Sequence, residues 1–166
     1  MLKLFQTVSL IAATTSMGLM AGLFAAFSYA VMPGLARTGD RTFVEAVQRI
    51  NAAILNGWFA IGFAGAIVFT GVAAALHLGA DHRAVLPWLL AAFVLYAAVL
   101  AITFGINIPL NDAIDAAGDV DRVPDLAAVR AAFEGRWVRW NAVRAVLSTA
   151  ALACLGWALI RYGRTM

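Results

Sequence analysis

Asn107-Ile108-Pro109-Leu110-Asn111-Asp112 and Trp137-Val138-Arg139-Trp140-Asn141-Ala142-Val143-Arg144 bracket the stretch on which this chain turns. Between them they gather amides, carboxylates, guanidinium groups and two Trp residues. On either side the chain is apolar. No Asp, Glu, Lys or Arg occurs in 4–36, 50–80, 84–111 or 145–160. A helix needs roughly 20 residues to cross about 30 Å of hydrocarbon, and the first three gaps are each long enough. The fourth covers only about 24 Å at roughly 1.5 Å per residue, so a spanning helix there must start near Trp140. That places Arg144 inside its first turns, at the membrane boundary.

Composition agrees. The chain has 166 residues, 63% of them hydrophobic, with a mean hydropathy of +0.86, well above soluble domains. The expected fold is all-α: one integral membrane domain over 1–166, a bundle of four transmembrane helices at about 4–32, 56–78, 85–107 and 138–161. A short amphipathic helix follows helix 1, and a polar helical connection joins helices 3 and 4. The formal net charge of +3 is not concentrated in a stripe but flanks apolar spans. The pattern therefore points to a lipid bilayer as partner and not to nucleic acid; a bacterial inner (cell) membrane is the expected location. Cys154, the lone cysteine, reads as a small hydrophobe. Lys3, an apolar run and Ser28-Tyr29-Ala30 imitate a signal peptide. The run exceeds the roughly 7–15 residues of such a segment, so a retained helix is expected.

In chain order, Gly18 and Gly22 form a GxxxG pair suited to close helix packing, within the bundle or between copies in a homo-oligomer. Pro33-Gly34 is expected to stop the first helix. Asp40 can cap an amphipathic helix whose apolar face carries Phe43, Val47 and Ile50. Gln48, Asn51 and Asn56 enter the second apolar stretch, where amides need partners: other helices, or a ligand. His77 and His82 flank the Gly79-Ala80-Asp81 turn and read as interfacial; a haem would want histidines deep in facing helices. Pro109 is expected to break or kink the third helix beside Asn107 and Asn111. Asp125 can start a helix through Leu126, Val129 and Phe133. Glu134, Trp137, Asn141 and Arg144 then share one face. The larger connections carry more basic residues, which the positive-inside rule puts in the cytoplasm. The lack of a nucleophilic triad, glycine-rich phosphate loop or metal-ligand cluster removes most other enzyme classes.

Taken together, Pro33-Gly34-Leu35, Gln48-Arg49-Ile50-Asn51 with Asn56, Asn107 to Asp112, and Trp137 with Asn141 and Arg144 resemble the anthrone oxygenase-like family. This is a family of small four-helix membrane proteins, and the resemblance runs from about Gly18 to Ser148. It implies, as for fungal members, oxidation of an anthrone to an anthraquinone by molecular oxygen, with no cofactor, neither metal nor flavin. The partner would be a hydrophobic aromatic small molecule. On that reading Trp137 and Trp140 stack the ring, with Gln48, Asn51 and Asn56 as further ligand contacts. Arg144 and the amides of Asn107, Asn111 and Asn141 stabilise an oxyanion, and Asp112 or Glu134 is a base or pairs with Arg144. The competing reading is a non-enzymatic membrane protein that binds or moves a lipophilic ligand or stabilises a partner. There the same cluster is glue between helices.

Overall fold

Hydrocarbon offers backbone groups no partner, so each apolar run must satisfy its own hydrogen bonds as helix. In the computed structural model, residues 1–79 and 84–164 are described, and every regular element among them is helical. The helices are α1 (Leu2–Leu35), α2 (Asp40–Ile54), α3 (Gly57–Leu76), α4 (Leu86–Asp115) and α5 (Leu126–Gly163). All but α2 are long and apolar enough to cross a membrane, which marks an all-α membrane protein. The expected turn at Gly79-Ala80-Asp81 and His82 falls on residues 80–83, largely outside those described. His77 is not interfacial in the exposed sense. It is fully buried, bonds the Ala73 carbonyl at 2.7 Å and meets the Tyr162 ring edge-on.

Around the bundle, α1 packs on α3 and α5, and α4 packs on α5 and α3, so α1 and α4 stand across from each other. Close approach comes from α3 rather than from the expected GxxxG pair. A Cβ on Gly62 would sit 2.8 Å from Met20, and one on Gly65 would sit 3.1 Å from the Ser16 hydroxyl. Gly18 has Leu152 at 3.8 Å from such a Cβ, whereas Gly22 has no neighbour within 4 Å and is exposed. Small residues therefore seat α3 against α1.

Neither proline ends its helix. Phe27–Val31 and Thr103–Asn107 each form a π turn, closed by Met32 N–H to the Phe27 carbonyl and by Ile108 N–H to the Thr103 carbonyl. In both cases the next residue is proline, Pro33 or Pro109. Proline clashes with the carbonyl four residues back; the wider turn moves that carbonyl aside, and the helix continues.

Past the most apolar stretches the ends of these helices build a second core. Phe43, Val44 and Val47 of α2 bury against Met32, Ile114, Phe133 and Trp137. At roughly 1.5 Å per residue α5 is about 57 Å long, nearly twice the hydrocarbon thickness, so its first half belongs to this cap. Its start is set by Asp125, whose side chain accepts from Ala128 N–H at 2.9 Å, so the polar connection and the fourth span are one helix. Asp40 does not cap α2. Gly39 occupies that position, and Asp40 instead accepts from Arg130 at 3.0 Å. Arg130 also donates to Glu134 at 2.6 Å and to the Thr38 and Ala36 carbonyls at 2.9 and 3.0 Å, and lies 4.5 Å over the Phe43 ring. An Arg41–Asp121 ion pair closes the outer edge.

Arg130 thus holds α2 onto α5. Arg130→Ala should cost about 1–3 kcal/mol, since several charge-assisted bonds are lost together. Thermal unfolding in detergent measures the loss, and faster amide exchange confined to 36–54 locates it.

Candidate functional site

Asn141 and Arg144 lie one turn apart on α5 and face the bundle interior. Arg144 is 5% exposed and Asn141 1%. Arg144 Nη2 donates to Asn141 Oδ1 at 2.9 Å, and Nη1 donates to Thr103 Oγ1 at 3.2 Å. Asn141 Nδ2 donates in turn to the Phe24 carbonyl at 3.0 Å and to Ser28 Oγ at 2.9 Å. Ser28 lies in the π turn of α1 and Thr103 in that of α4, so α5 clamps both turns with two adjacent side chains. The guanidinium is also flanked by rings, 4.4 Å from the Phe24 centroid and 5.5 Å from that of Trp137.

No carboxylate completes this arrangement. The expected pairing of Arg144 with Asp112 or Glu134 is not formed. Asp112 is exposed, and Glu134 bonds Arg130. Glu134 precedes Arg144 by about 15 Å along the same helix, too far for its side chain to return. Among the described residues Arg144 makes no ion pair.

Beside the clamp lies a cavity of about 120 Å³. Phe24, Thr103, Asn107, Trp137, Asn141 and Arg144 form its buried floor, and Leu23, Phe27, Phe63 and Ile108 its sides. Its rim is Ile50, Asn51 and Ile54 of α2, exposed Leu55, Phe59 of α3, and Asn111. Trp137 is held by Nε1–H donating to Asn111 Oδ1 at 2.7 Å, by stacking on Phe133 and by a tilted contact with Phe27. Asn107 Nδ2 donates to the Trp137 carbonyl at 3.4 Å, which leaves Asn107 Oδ1 without a partner. Arg144 Nε is likewise buried and unpartnered.

Six of the ten candidate residues therefore meet at one cavity: Asn51, Asn107, Asn111, Trp137, Asn141 and Arg144. The other four lie elsewhere. Asn56 caps α3, accepting from Phe59 N–H at 3.1 Å, and does not line the cavity. Gln48 ties α2 to the end of α4 through the Ile114 and Gly118 carbonyls at 2.9 and 3.0 Å. Asp112 and Trp140 do not line the cavity. Asn51, though at the rim, already donates to Asp115 at 3.1 Å. Thr103, Phe24, Phe59 and Phe63 were not anticipated. Thr103 had a signal: a hydroxyl six residues before a proline in an apolar helix, where a π turn begins. The phenylalanines had none, because only the bundle's packing distinguishes them from lipid-facing rings. Among the described residues no cluster of three or more His, Cys, Asp or Glu is arranged to hold a metal ion.

Glue and site differ in what Arg144 does to stability. A buried unpaired charge destabilises, whereas its clamp partner Asn141 stabilises. Arg144→Met is expected to unfold at the same temperature as the parent or higher, and Asn141→Ala to lose about 1–3 kcal/mol. Denaturation of both variants in detergent decides; strong destabilisation by Arg144→Met would identify the arginine as structural.

Residues 52–154 match the model of one protein family, described as anthrone oxygenase. No curated protein and no solved structure matches the chain.

Proposed function

The chain belongs to the anthrone oxygenase family, and from that membership we propose that its cavity binds a flat, hydrophobic phenolic or anthrone-type molecule and presents it to dioxygen. The observation that supports this most is Arg144. It is a guanidinium buried to 95%, ringed by aromatics, without a counter-ion among the described residues, on the floor of a cavity. Such a group is stabilised when its cavity contains an anionic oxygen, and it stabilises that oxygen in return.

An anthrone is a carbon acid. Loss of a proton from its CH2 group to water at the cavity mouth, which later returns it to the peroxide anion, gives an anion whose charge lies largely on the ring-ketone oxygen. No carboxylate lines the cavity, so the anion is favoured by Arg144 acting on the oxygen rather than by a base in contact with carbon. The anion passes one electron to dioxygen, and the carbon radical and superoxide combine to form a C–O bond. Protonation gives a hydroperoxide, which loses water as its remaining C–H breaks and C=O forms. The balance is one CH2 and one O2 converted to one C=O and one H2O. Trp137, Phe24 and Phe27 hold the ring plane, and the apolar walls keep bulk water from the anion. The setting we infer is a bacterial cell membrane, from which both reactants reach the rim.

Oxygen uptake by detergent-purified protein tests this, with anthrones and hydroquinones supplied and metal content assayed on the same sample. Arg144→Ala should lower turnover by about 10²–10³, the scale of losing one oxyanion donor. Arg122→Ala, whose side chain is 87% exposed, should leave turnover unchanged. Equal activity of the two variants, per folded protein, would refute the assignment. Ligand binding without uptake would favour a lipophilic-ligand carrier instead.

A further inference from the structure

The cavity is open, and its mouth has two unlike edges. Along α2 and the end of α4 the edge is polar. Asn51 and Asn111 line it there, and Asn51 donates to exposed Asp115 at 3.1 Å. At the junction of α2 and α3 the edge is apolar, formed by Ile54, Leu55 and Phe59. Leu55 lines the cavity and yet is 80% exposed, and the outward residues that follow it on α3 are Trp58 at 88% and Ile61 at 63%. Side chains of this size and exposure call for an apolar neighbour.

The length of α3 identifies that neighbour. It runs over Gly57–Leu76, 20 residues. At roughly 1.5 Å per residue it is about 30 Å long, the thickness of the hydrocarbon and no more. Its first turn therefore cannot stand clear of the membrane, and Trp58 is the residue type that collects at that level. Leu55 and Phe59 meet the edge of the hydrocarbon, while the exposed charges of Arg49 and Asp115 lie on the aqueous side.

The bundle is also least closed here. α3 and α4 pack less closely than the other neighbouring helix pairs. Their firm contacts come deeper: the Phe93 ring lies 3.3 Å from a Cβ placed on Gly71, and the Tyr96 hydroxyl donates to the Phe63 carbonyl at 3.1 Å. At the π turn of α4 they meet ring to ring, with Phe104 edge-on to Phe63 at 6.2 Å. Phe63 lines the cavity and stacks on Phe59 at 5.1 Å, whereas Phe104 is 61% exposed. These rings carry no hydrogen-bonding groups, so turning them aside breaks no polar contact.

We propose that the apolar edge is the ligand's entrance. A neutral, flat molecule dissolved in the bilayer passes laterally over Leu55 and Phe59, while the polar edge at Asn51 and Asn111 admits the water with which it exchanges its proton. The entrance restricts the substrate class to uncharged aromatics that partition into lipid; permanently charged conjugates of the same rings are turned away. The identity of the ligand rests on the function proposed above, but the side on which the mouth opens does not.

Spin labels test the opening without any ligand. Leu55→Cys, Ala52→Cys and Val146→Cys are each labelled in a Cys154→Ala chain in lipid nanodiscs; all three positions are exposed, so the label displaces no packing. Collision with dioxygen, which concentrates in lipid, is compared with collision with a neutral nickel chelate, which stays in water. The label at 55 is expected to match the one at 146, on the lipid face of α5, and the label at 52 to favour the chelate. Equal access of the chelate to 55 and 52 would overturn the proposal. Passage is then read by anaerobic stopped-flow quenching of tryptophan fluorescence with anthrone supplied in vesicles. Leu55→Asp should slow entry and exit alike, by about tenfold, because a charge now lies on the apolar path. Kd should stay as it was, since an entrance changes the barrier and not the end states. Ala52→Asp, which puts the same charge on the aqueous side, should leave both rates unchanged. Slower entry with unchanged exit would make Leu55 a contact of the bound ligand and overturn the entrance, and so would unchanged rates in Leu55→Asp. If anthrone does not bind, the oxygenase reading fails, and the spin labels still decide where the mouth opens.

Discussion

A full positive charge at the edge of hydrocarbon is the constraint around which this bundle is arranged. Arg144 is almost wholly buried and meets no carboxylate among the described residues, so its stability depends on neutral groups brought to it: the Thr103 hydroxyl, the Asn141 amide and the faces of Phe24 and Trp137. Those groups come from three helices. Asn141 in turn holds the Phe24 carbonyl and Ser28 of α1. Moving any one helix therefore leaves a buried charge less solvated, so the arginine selects this arrangement of α1, α4 and α5 without adding to its stability.

The site lies at a seam. Below it the membrane core packs around Met17, Tyr96 and Leu155; above it the cap packs around Phe43, Ile114 and Phe133. Trp137 belongs to the upper core and also walls the cavity. Two cores built on different neighbours, one in lipid and one at the aqueous edge, meet along the same long α5 without interdigitating fully. Asn107 and Arg144 line the space left between them, and each keeps one buried atom without a partner. α2 roofs that space with Ile50 and Ile54 while Arg130 secures its other end, so the helix that closes the site is anchored away from it.

The spans were legible because charge is too costly in hydrocarbon to be scattered, and its absence over four stretches can be read directly. The convergence of Asn107, Asn141, Trp137 and Arg144 was legible for the same reason, since polar groups in a membrane helix must turn inward. What misled was local chemistry with two outcomes. Asn56 and Gln48 are amides at a membrane edge, and amides there cap and tie helices as readily as they bind ligands; only their backbone partners tell which. Proline at 33 and 109 signals a break in isolation, yet neighbouring helices made a wider turn cheaper than an end. Glu134 shares a helical face with Arg144, but face is not reach.

Each π turn also has a geometric consequence for everything beyond it. It inserts one residue beyond the α-helical count, and one residue is about 100° of rotation about the axis. Asn111, which steadies Trp137, lies just past the second turn. On an uninterrupted helix it would point about a quarter of a revolution away, toward lipid or the opposite wall. A helical wheel drawn through Leu86–Asp115 at constant period therefore mislabels the last turns of the span. The paired prolines act as phase shifters: they set the azimuth of the rim independently of that of the membrane core, so the mouth can be re-aimed while the four apolar spans stay as they are.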